Sequence, residues 1–493
     1  MNANAPAQQQ KRNLNGLWLI LAFVLLIGIL ALPTPADLPV AGQRALAILA
    51  FAIVLWVTEA VTYTVSAFMI IGLIAILLGL APPAGGETAI GTTAALRLAL
   101  SGFSSPAVAL VGAALFLAAA MQATNFHKRL ALLILSRVGV KTNNIVIGAI
   151  LVSIVLALFV PSATARAGSV VPILLGMVAA FGLAANSRLS ALLVITAVQA
   201  VSIWNVGIKT AAAQNMVAVD FMDKAFGYEI SWGQWLMYAG PWAVIMSVIL
   251  YFVMINVIKP ETKEITGGQD LVRQQLKELG PMTGPEKRLL AYSAALLFFW
   301  STEKVVHSFD NSTVTLIVVA MLLTPKIGVF DWASVEKKIP WGTLIVFAVG
   351  VSLGTVLLQT QGASWFSGKV FGAMGLADMP LLSVIAILAA FNILIHLGFA
   401  SATSLASALI PIVIALVSTL NMPVNEPGFV LIQQFVISFG FLLPVSAPQN
   451  MLAYGTGAFT VKDFLKSGIP LTIAGYLLVL LFSATYWQWI GLL

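Results

Sequence analysis

Two polar breaks, each between a pair of short apolar runs, constrain the fold of this 493-residue chain more than any other feature. The first break, 161–168, separates the apolar runs 145–160 and 169–183, and the second, 401–404, lies between two runs of similar length. A helix needs roughly 20 residues to cross the apolar core of a bilayer, so a run of about 15 does not cross it alone. Each pair therefore predicts a re-entrant hairpin whose tip lies near mid-membrane, packed in protein or beside a wet cavity. Two interrupted hairpins in corresponding halves are typical of the substrate site of a transporter.

The composition indicates a polytopic membrane protein. Hydrophobic residues make up 60% of the chain and charged residues 9%, whereas soluble domains carry about 25% charged residues. The absence of cysteine excludes disulfides and thiolate metal sites. The histidines (His127, His307 and His396) are far apart in the sequence, so we expect no metal site and no cofactor. The net charge of +7 does not indicate nucleic-acid binding, because the basic residues follow the membrane topology.

The apolar runs predict an all-α fold with eleven membrane spans and two re-entrant hairpins in an inverted repeat. The predicted regions are a cytoplasmic tail (1–16), a first half (17–258, hairpin 144–183), a cytoplasmic linker (259–288) and a second half (289–493, hairpin 381–420). The linker has too few apolar residues to form a domain of its own. The basic amphipathic stretch 127–142 predicts a helix on the cytoplasmic surface.

The distribution of basic residues orients these spans. With the N-terminus in the cytoplasm and each hairpin returning to the side it entered from, 18 Lys and Arg residues fall on the cytoplasmic side and five on the outer side. Arg166 and Lys209 remain within the membrane. This excess agrees with the positive-inside rule. We therefore expect an integral protein of a bacterial inner membrane, embedded in the lipid bilayer, with its N-terminus in the cytoplasm.

Four short motifs recur in the same order at nearly constant spacing. Five spans and one hairpin separate equivalent positions, so the two copies are predicted to have opposite orientations in the membrane. An inverted repeat of this kind is typical of alternating-access carriers. The matched positions are Trp56 and Trp300 (offset 244), Gln122 and Gln359 (237), Ser162 and Ser401 (239), and Gln214 and Gln449 (235).

Uncharged polar side chains cluster at the hairpin tips and at two breaks within spans, 205–212 and 444–450. Half-helices that begin at such breaks direct free N–H groups and a positive dipole end inward, which favours an anion. Taken singly, each of these residues is better explained as a helix cap or as a contact between spans. As a repeated set they predict a substrate site. The predicted uncharged site residues are Ser162, Thr164, Thr210, Asn215, Ser401, Thr403, Ser446 and Asn450.

Three basic residues flank the predicted site. A cation at the centre of a membrane helix costs on the order of 2.5–3.5 kcal/mol, and Arg166, Lys209 and His396 have no acidic residue close by in sequence. We therefore predict that they help bind an anionic substrate. The alternatives are that Lys209 extends to the cytoplasmic face, Arg166 caps helix carbonyls and His396 is a neutral core residue. Glu59 and Glu303 occupy equivalent span ends, where capping is favoured over proton relay.

With these motifs the chain resembles the divalent anion/sodium symporter family of di- and tricarboxylate transporters over nearly its whole length after residue 40. The tip motifs with a following Pro-Ile, at 172–173 and 411–412, and the stretch LPVSAPQNMLAYGTG at 443–457 carry the resemblance. It implies a homodimer in which a transport domain moves against a fixed scaffold as an elevator. It also implies carboxylate-binding roles for Ser162, Thr164, Asn215, Ser401, Thr403 and Asn450.

Two departures from the family pattern bear on substrate and coupling. The family's tip motif is commonly Ser-Asn-Thr, whereas both tips here read Ser-Ala-Thr, which removes two amide donors. The first broken span, GIKTAAAQN at 207–215, lacks the Gly/Pro-rich character of sodium-coupled members and resembles the branch that exchanges dicarboxylates. Fixed charge on Arg166, Lys209 or a protonated His396 would repel Na⁺, and an empty carrier holding that charge would cross poorly.

These observations predict a transporter that exchanges small organic dianions such as succinate, malate or 2-oxoglutarate. The alternative is a Na⁺-coupled symporter of the same substrates, for which Na⁺ would be the coupling ion. A carrier of inorganic oxyanions such as sulfate or arsenite is a wider rival. An integral-membrane enzyme is disfavoured, because the sequence offers no nucleophile–base pair, metal cluster or nucleotide-binding loop.

Overall fold

The computed structural model describes residues 5–265, 267–420 and 423–493, and this part of the chain contains helices and no β-strand. The apolar runs fold as helices because a bilayer core offers no water to backbone N–H and C=O groups, which a helix pairs within itself. The helices up to the linker are α1 (Ala5–Ala31), α2 (Val40–Thr58), α3 (Tyr63–Leu73), α4 (Thr92–Ala99), α5 (Pro106–Thr124), α6 (Phe126–Leu135), α7 (Thr142–Phe159), α8 (Ala163–Ala180), α9 (Arg188–Gly207), α10 (Ala213–Phe226) and α11 (Trp232–Val257).

The second half follows a short linker helix and has the same general order. A π-helical turn, Ile74–Leu78, extends α3, and 3₁₀ turns lie in both broken spans at Lys209–Ala211 and Pro444–Ser446. The remaining helices are α12 (Gly268–Glu278), α13 (Gly284–Thr302), α14 (Asn311–Leu323), α15 (Trp332–Val335), α16 (Trp341–Gln359), α17 (Gly362–Gly372), α18 (Leu381–His396), α19 (Ala402–Val417), α20 (Glu426–Ile437), α21 (Pro448–Tyr454), α22 (Val461–Ala484) and α23 (Tyr486–Trp489).

The predicted all-α membrane fold is confirmed. Among the described residues, nine helices are at least 18 residues long and apolar enough to cross a membrane. They include both arms of the first hairpin, α7 and α8, whereas the arms of the second, α18 and α19, have 16 residues each. The apolar window of α9 is entirely buried, so the broken span of the first half lies at the centre of the bundle.

The polar tip of the first hairpin is shorter than predicted. Only residues 160–162 are not helical, because α8 begins at Ala163. Ser162 ends the tip, and Ser401 ends the tip of the second hairpin; each Oγ accepts a hydrogen bond from the backbone N–H three residues on, at 3.3 Å. This is the usual N-cap arrangement. The φ and ψ angles are −140° and 111° at Ser162 and −137° and 112° at Ser401, so the N-cap residue has the same conformation in both tips. The second tip is longer and lies earlier than predicted, with residues 397–401 between α18 and α19.

Both broken spans unwind and restart with matching geometry. In the first half α10 restarts after Ala212, and in the second half α21 restarts after Ala447. These two residues have nearly identical extended backbone angles, φ −148° and ψ 141° against φ −155° and ψ 142°. The sequence repeat is therefore also a repeat of backbone conformation at both kinds of break.

The linker between the halves is bound to the hairpin and broken span of the first half. Two backbone hydrogen bonds of 2.8 and 2.9 Å pair 263–265 with 140–142 at the start of α7. Glu261 accepts hydrogen bonds from the first two N–H groups of α9, at 2.7 and 2.9 Å. The linker helix α12 then packs against α6 and α8. A segment of mostly polar sequence is thereby ordered without a core of its own.

Two short helices, α6 and α17, each follow a long span and are fixed near the first helix of the other half. In α6, Arg129 forms a buried ion pair of 2.7 Å with Glu286 in the first turn of α13. In α17, Lys369 forms an exposed ion pair of 2.8 Å with Asp37, just before α2. The indole N–H of Trp365 also donates to Asp37, at 3.0 Å. Each short helix therefore precedes a hairpin of its own half but is anchored to the other half.

Candidate functional site

The two hairpin tips and the two broken spans meet at one cavity of about 160 Å³. A cavity of roughly 150 Å³ accommodates a molecule the size of benzene, so this one is large enough for a small organic acid. Both halves contribute, and none of the described lining residues is Asp or Glu. Its polar lining side chains include Ser162, Thr164, Asn205, Thr210, Gln214, Thr343, His396, Ser401, Thr403, Ser438, Ser446 and Gln449.

Four helices begin at the wall of this cavity. The first residues of α8, α10, α19 and α21 all line it. The N–H groups in the first turn of a helix lack intrahelical partners, and the helix dipole places about half a positive elementary charge at that end. With no carboxylate among the lining residues to offset these dipoles, the cavity favours an anion.

The tip hydroxyls can donate to a ligand in the cavity that they line. Ser162 and Ser401 each accept a bond from a backbone N–H, which can only donate. Among the described residues neither hydroxyl donates its own proton to the protein, so both protons are free for a ligand. The N-cap role and a donor role toward a ligand are therefore compatible in the same side chain.

The structure places the predicted asparagines behind the cavity instead of in its wall. The amide nitrogen of Asn215 donates to the carbonyl of Asn205 at 2.7 Å and to two further loop carbonyls at 3.2 and 3.3 Å. The amide nitrogen of Asn450 donates to the carbonyl of Gly440 at 2.8 Å. Each asparagine reaches back ten residues to the end of the preceding half-helix, so it closes the unwound loop that carries the lining residues.

Sequence reasoning left several lining residues out of the predicted site. Gln214 and Gln449, repeat partners beside the asparagines, belong to the repeated polar set of the broken spans but were not among the predicted contact residues. They also join the halves: Gln214 donates to Ser438 at 3.4 Å, and Gln449 donates to Ser202 at 3.1 Å. Asn205 and Ser438 lie where helices begin to unwind, which hydropathy alone does not reveal.

Two basic side chains contact equivalent loop carbonyls from the two hairpins. The guanidinium of Arg166 donates to the carbonyl of Ala211 at 2.9 Å and to the side-chain oxygen of Asn205. His396 Nε2 donates to the carbonyl of Ser446 at 3.1 Å. Residues 211 and 446 differ by the repeat offset of 235. Arg166 is fully buried and, among the described residues, has no acidic partner. It therefore lies one layer behind the cavity, in contact with a lining residue.

Lys209 faces a different cavity from the one lined by the tips. Its ammonium donates to the carbonyl of Ile230 at 2.6 Å. It lines an adjacent cavity of about 530 Å³ that also contains Glu303 and Asp220 and that shares Leu110 with the first. The structure thus separates Lys209 from Thr210, its neighbour in sequence, which lines the cavity between the tips.

The equivalent glutamates Glu59 and Glu303 differ in their surroundings. Glu59 is exposed and accepts a hydrogen bond from the hydroxyl of Tyr63 at 3.0 Å. Glu303 is buried and accepts one from the backbone N–H of Trp232 at 3.2 Å, at the start of α11. Neither residue lines the cavity between the hairpin tips. Glu303 is therefore placed as a helix-start acceptor, in agreement with the capping alternative.

Side chains alone offer no evident metal site in the described part of the chain, where no group of three His, Cys, Asp or Glu could hold a metal ion. In transporters of this general design, unwound backbone carbonyls are the remaining ligands for Na⁺. Two such carbonyls, at Ala211 and Ser446, already accept hydrogen bonds from Arg166 and His396.

Comparison with known proteins gives consistent matches over the whole chain. A family model described as the sodium:sulfate symporter transmembrane region matches residues 12–493. A membrane protein of Cupriavidus necator is 52% identical over 96% of this chain and 92% of its own length. The sodium-dependent dicarboxylate transporter SdcS of Staphylococcus saprophyticus is 27% identical, covering 94% and 89%. The L-tartrate/succinate antiporter of Escherichia coli is 27% identical, covering 97% and 99%.

A solved structure shares the general fold. The crystal structure of the Alcanivorax borkumensis YdaH transporter is similar with a TM-score of 0.54 at 12% sequence identity. The similarity covers 85% of this chain and 97% of that one. At this identity it supports the helical membrane fold and carries no information on the ligand.

Proposed function

Because the chain belongs to the family described as the sodium:sulfate symporter transmembrane region, we propose that it is a secondary transporter that exchanges small organic dianions of the succinate, malate and 2-oxoglutarate class, and not an enzyme. The observation that carries the proposal is the cavity at which four helices begin and whose described lining has no acidic residue. Relatives of similar length are named as a dicarboxylate transporter and as a tartrate/succinate antiporter.

The repeated half-sites suit a ligand with two carboxylates. Each half supplies a tip hydroxyl whose proton is free, Ser162 or Ser401, and a restarted helix that begins at the cavity. A dianion of about eight heavy atoms presents one carboxylate to each half-site. Thr164 and Thr403 in the first turns of α8 and α19 add further hydroxyls to the same wall. We assign the substrate contacts to these residues, together with Thr210 and Ser446.

Exchange is supported by the two basic side chains that already donate hydrogen bonds to backbone carbonyls in the loops of the broken spans. A Na⁺ ion bound in either loop needs backbone carbonyls as ligands, and those of Ala211 and Ser446 accept from Arg166 and His396. Moving one elementary charge across a membrane potential changes the free energy by about 2.3 kcal/mol per 100 mV. A carrier with a permanent guanidinium beside its empty site therefore crosses less readily than one whose charge is balanced by a bound dianion.

Na⁺-coupled symport of the same substrates is the second candidate. SdcS is named as sodium-dependent, and the second half carries Leu405 at the position equivalent to Arg166. The loop of the second half therefore lacks a fixed guanidinium, and a neutral His396 leaves it without charge. A Na⁺ ion at this loop alone is the form of symport that the structure best accommodates.

An elevator movement is supported by the way the hairpins are connected. Each hairpin follows a short helix, α6 or α17, that is anchored to the other half through Arg129–Glu286 or Lys369–Asp37. Anchored helices of this kind provide fixed points from which hairpins and broken spans can move as one unit. We propose that this unit carries the substrate site in a homodimer, in a bacterial inner membrane with the N-terminus in the cytoplasm.

Uptake of labelled succinate into proteoliposomes tests the proposal. Vesicles are preloaded with malate or left empty, each with and without an inward Na⁺ gradient, and unlabelled sulfate is added as a competitor. Exchange predicts uptake only into preloaded vesicles, with no response to Na⁺. Uptake into empty vesicles driven by Na⁺ would establish symport instead. Sulfate transport without succinate transport would contradict the organic substrate class.

A further inference from the structure

One site hydroxyl is held from a helix outside both hairpins. The indole N–H of Trp232, at the start of α11, contacts Thr210 Oγ1 at 3.2 Å. An indole N–H can only donate, so Thr210 Oγ1 must be the acceptor in this bond. Within the described chain, the hydroxyl of Thr210 donates its own proton to no protein group. Because Thr210 lines the cavity between the hairpin tips, that proton is available to a ligand there.

Three charged side chains fix the segment that presents the indole. Lys304 donates to the carbonyl of Glu229 at 2.7 Å, and Lys209 donates to the carbonyl of Ile230 at 2.6 Å. Glu303 accepts from the backbone N–H of Trp232 at 3.2 Å. We call residues 229–232 together with these three side chains the clasp. Trp232 itself is 3% exposed, so its ring has little freedom to turn away from Thr210.

In the described part of the second half, no equivalent of the clasp is found. The repeat offset of 235 places Val445 opposite Thr210 and Pro444 opposite Lys209. Neither side chain can donate or accept a hydrogen bond. Among the described residues, Thr210 is therefore the one hydroxyl of the cavity lining that accepts from an indole. In the second half the buried indole of Trp300 donates to Thr315 at 3.1 Å, and Thr315 does not line the cavity.

We infer that Trp232 is a positioning residue for the substrate site, which turns the Thr210 hydroxyl so that its proton faces the bound carboxylate. Lys209 and Glu303 act through the segment that holds the indole, and neither contacts the substrate. The inference rests on the proposed function, since it requires a small dianion in the cavity between the tips. It gives a role to two intramembrane charged residues that the exchange mechanism does not use.

A double-mutant cycle on purified, full-length protein tests this inference. Succinate dissociation constants are measured for the wild type, Trp232→Phe, Thr210→Val and the double variant. Loss of one hydrogen bond to a charged group corresponds to about a tenfold weaker affinity, which we expect for each single variant. Because Trp232 acts through Thr210, the double variant should bind no more weakly than Thr210→Val. Thr210→Ser keeps the hydroxyl and should bind within about twofold of the wild type.

Trp487→Phe is the matched control, because its indole N–H donates to the carbonyl of Tyr238 at 2.9 Å, in a buried position that does not line the cavity. It should leave succinate affinity unchanged. In exchange assays Trp232→Phe should raise KM and spare the rate at saturation. If Trp232→Phe does not fold, Lys209→Met replaces it in the same cycle. Multiplicative losses in the double variant would overturn the inference alone. Failure of the wild type to bind succinate, malate, tartrate or 2-oxoglutarate would contradict the proposed function as well.

Discussion

In the first half of the molecule, the fourth residue after the N-cap serine of the hairpin tip is Arg166, whereas the equivalent residue of the second half is Leu405; both side chains are fully buried. Asn205, which binds Arg166, is matched by Gly440. The second half instead brings a basic group from its other arm, His396, to the carbonyl equivalent to the one that Arg166 contacts. In each half, therefore, a basic side chain donates to the equivalent loop carbonyl, but the two side chains come from different arms of their hairpins.

This comparison separates what the repeat preserves from what it leaves free. In both halves the N-cap serine accepts the N–H three residues on, and the loop-closing asparagine donates to the carbonyl ten residues back, because the unwound backbone must be satisfied wherever it lies inside a membrane protein. The charged side chains are not constrained in this way, and they differ between the two halves. Backbone symmetry thus provides two matching half-sites at the cavity, and the charged side chains distinguish one half from the other.

The largest expected effect comes from giving the first half the residue of the second. Arg166→Leu removes the guanidinium charge and leaves the side-chain oxygen of Asn205 and the carbonyl of Ala211 without their donor. A buried group left unpaired costs about 1–3 kcal/mol, and more when charge is involved. We expect succinate/malate exchange to fall by about two orders of magnitude or more, in line with about 3 kcal/mol of lost stabilisation.

Arg137→Leu is the control for this change, because Arg137 is an exposed cation in the same half, beyond the end of α6. It should exchange succinate at the wild-type rate. Exchange by Arg166→Leu within threefold of the wild type would show that the guanidinium is only structural. Acquisition of Na⁺-dependent net uptake by Arg166→Leu would strengthen the view that this side chain takes the place of a cation.

The next effect concerns stability and contrasts the two loop-closing asparagines. Asn215 donates to three carbonyls and accepts a bond from Gln434 at 3.3 Å, whereas Asn450 donates to one carbonyl. Because the amide nitrogen has two hydrogens to share among three carbonyls, Asn215 makes two full donated bonds and one accepted bond. At about 1 kcal/mol per hydrogen bond, Asn215→Ala should destabilise the protein by roughly 3 kcal/mol and Asn450→Ala by roughly 1 kcal/mol. Thermal unfolding of both variants in detergent gives the comparison. An equal or reversed order would show that the loops are not held by these amides.

Much of the architecture follows from sequence because it is dictated by the bilayer. Apolar runs of sufficient length had to be helices, because the bilayer core cannot solvate an open backbone. Ser162 and Ser401 are natural starting points for the second arm of each hairpin, since Ser is a preferred N-cap. The tip of the first hairpin was predicted too long because Pro161 and Gly168 bound it in the sequence, although the alanines and the arginine between them favour a helix. The observed cap at Ser162 fixes where α8 begins. Hydropathy shows which segments are apolar. It does not show at which residue a helix begins, because that depends on the capping hydrogen bond.

The site was less accessible to sequence reasoning because it depends on side-chain direction. Lys209 and Thr210 are adjacent in sequence, yet they line different cavities. Asn215 and Gln214 are adjacent as well, and only Gln214 lines the cavity between the tips. Along a restarted helix the first residues diverge by about 100° each, so spacing identifies the neighbourhood of a site more readily than its lining.

A smaller and symmetric effect is expected at the two hairpin tips. Gly is nearly as good an N-cap as Ser, whereas Ala costs about 0.5–2 kcal/mol. Ser162→Gly and Ser401→Gly should therefore keep stability within a few tenths of a kcal/mol while removing the hydroxyl donor. We expect each to weaken succinate binding by about three- to tenfold. Comparison with the Ala variants separates capping from ligand contact, and unequal losses would contradict two equivalent half-sites.

The smallest expected effect is on stability, and it compares how the first helices of the two broken spans, α9 and α20, are capped. Burial alone would raise the pKa of Glu261, but the N–H groups of Arg188 and Leu189 outweigh it and hold the pKa below its usual value. The stabilisation is therefore present above the unfolded pKa of about 4.3 and is lost as pH falls through the folded pKa. Glu261→Gln should lower stability by about 0.3–1 kcal/mol at pH 7, with a smaller difference at pH 4.

The start of α20 provides the contrast, because it is capped by the neutral Asn425, whose side-chain oxygen accepts the N–H of Gly428 at 3.2 Å. Asn425→Ala should reduce thermal stability by the same amount at pH 7 and pH 4, since no group that titrates in this range takes part in that bond. Melting curves of both variants at the two pH values make the comparison. If Glu261→Gln also loses the same stability at both values, the charge of Glu261 does not act on the first broken span, and the linker holds α9 by its neutral hydrogen bonds alone.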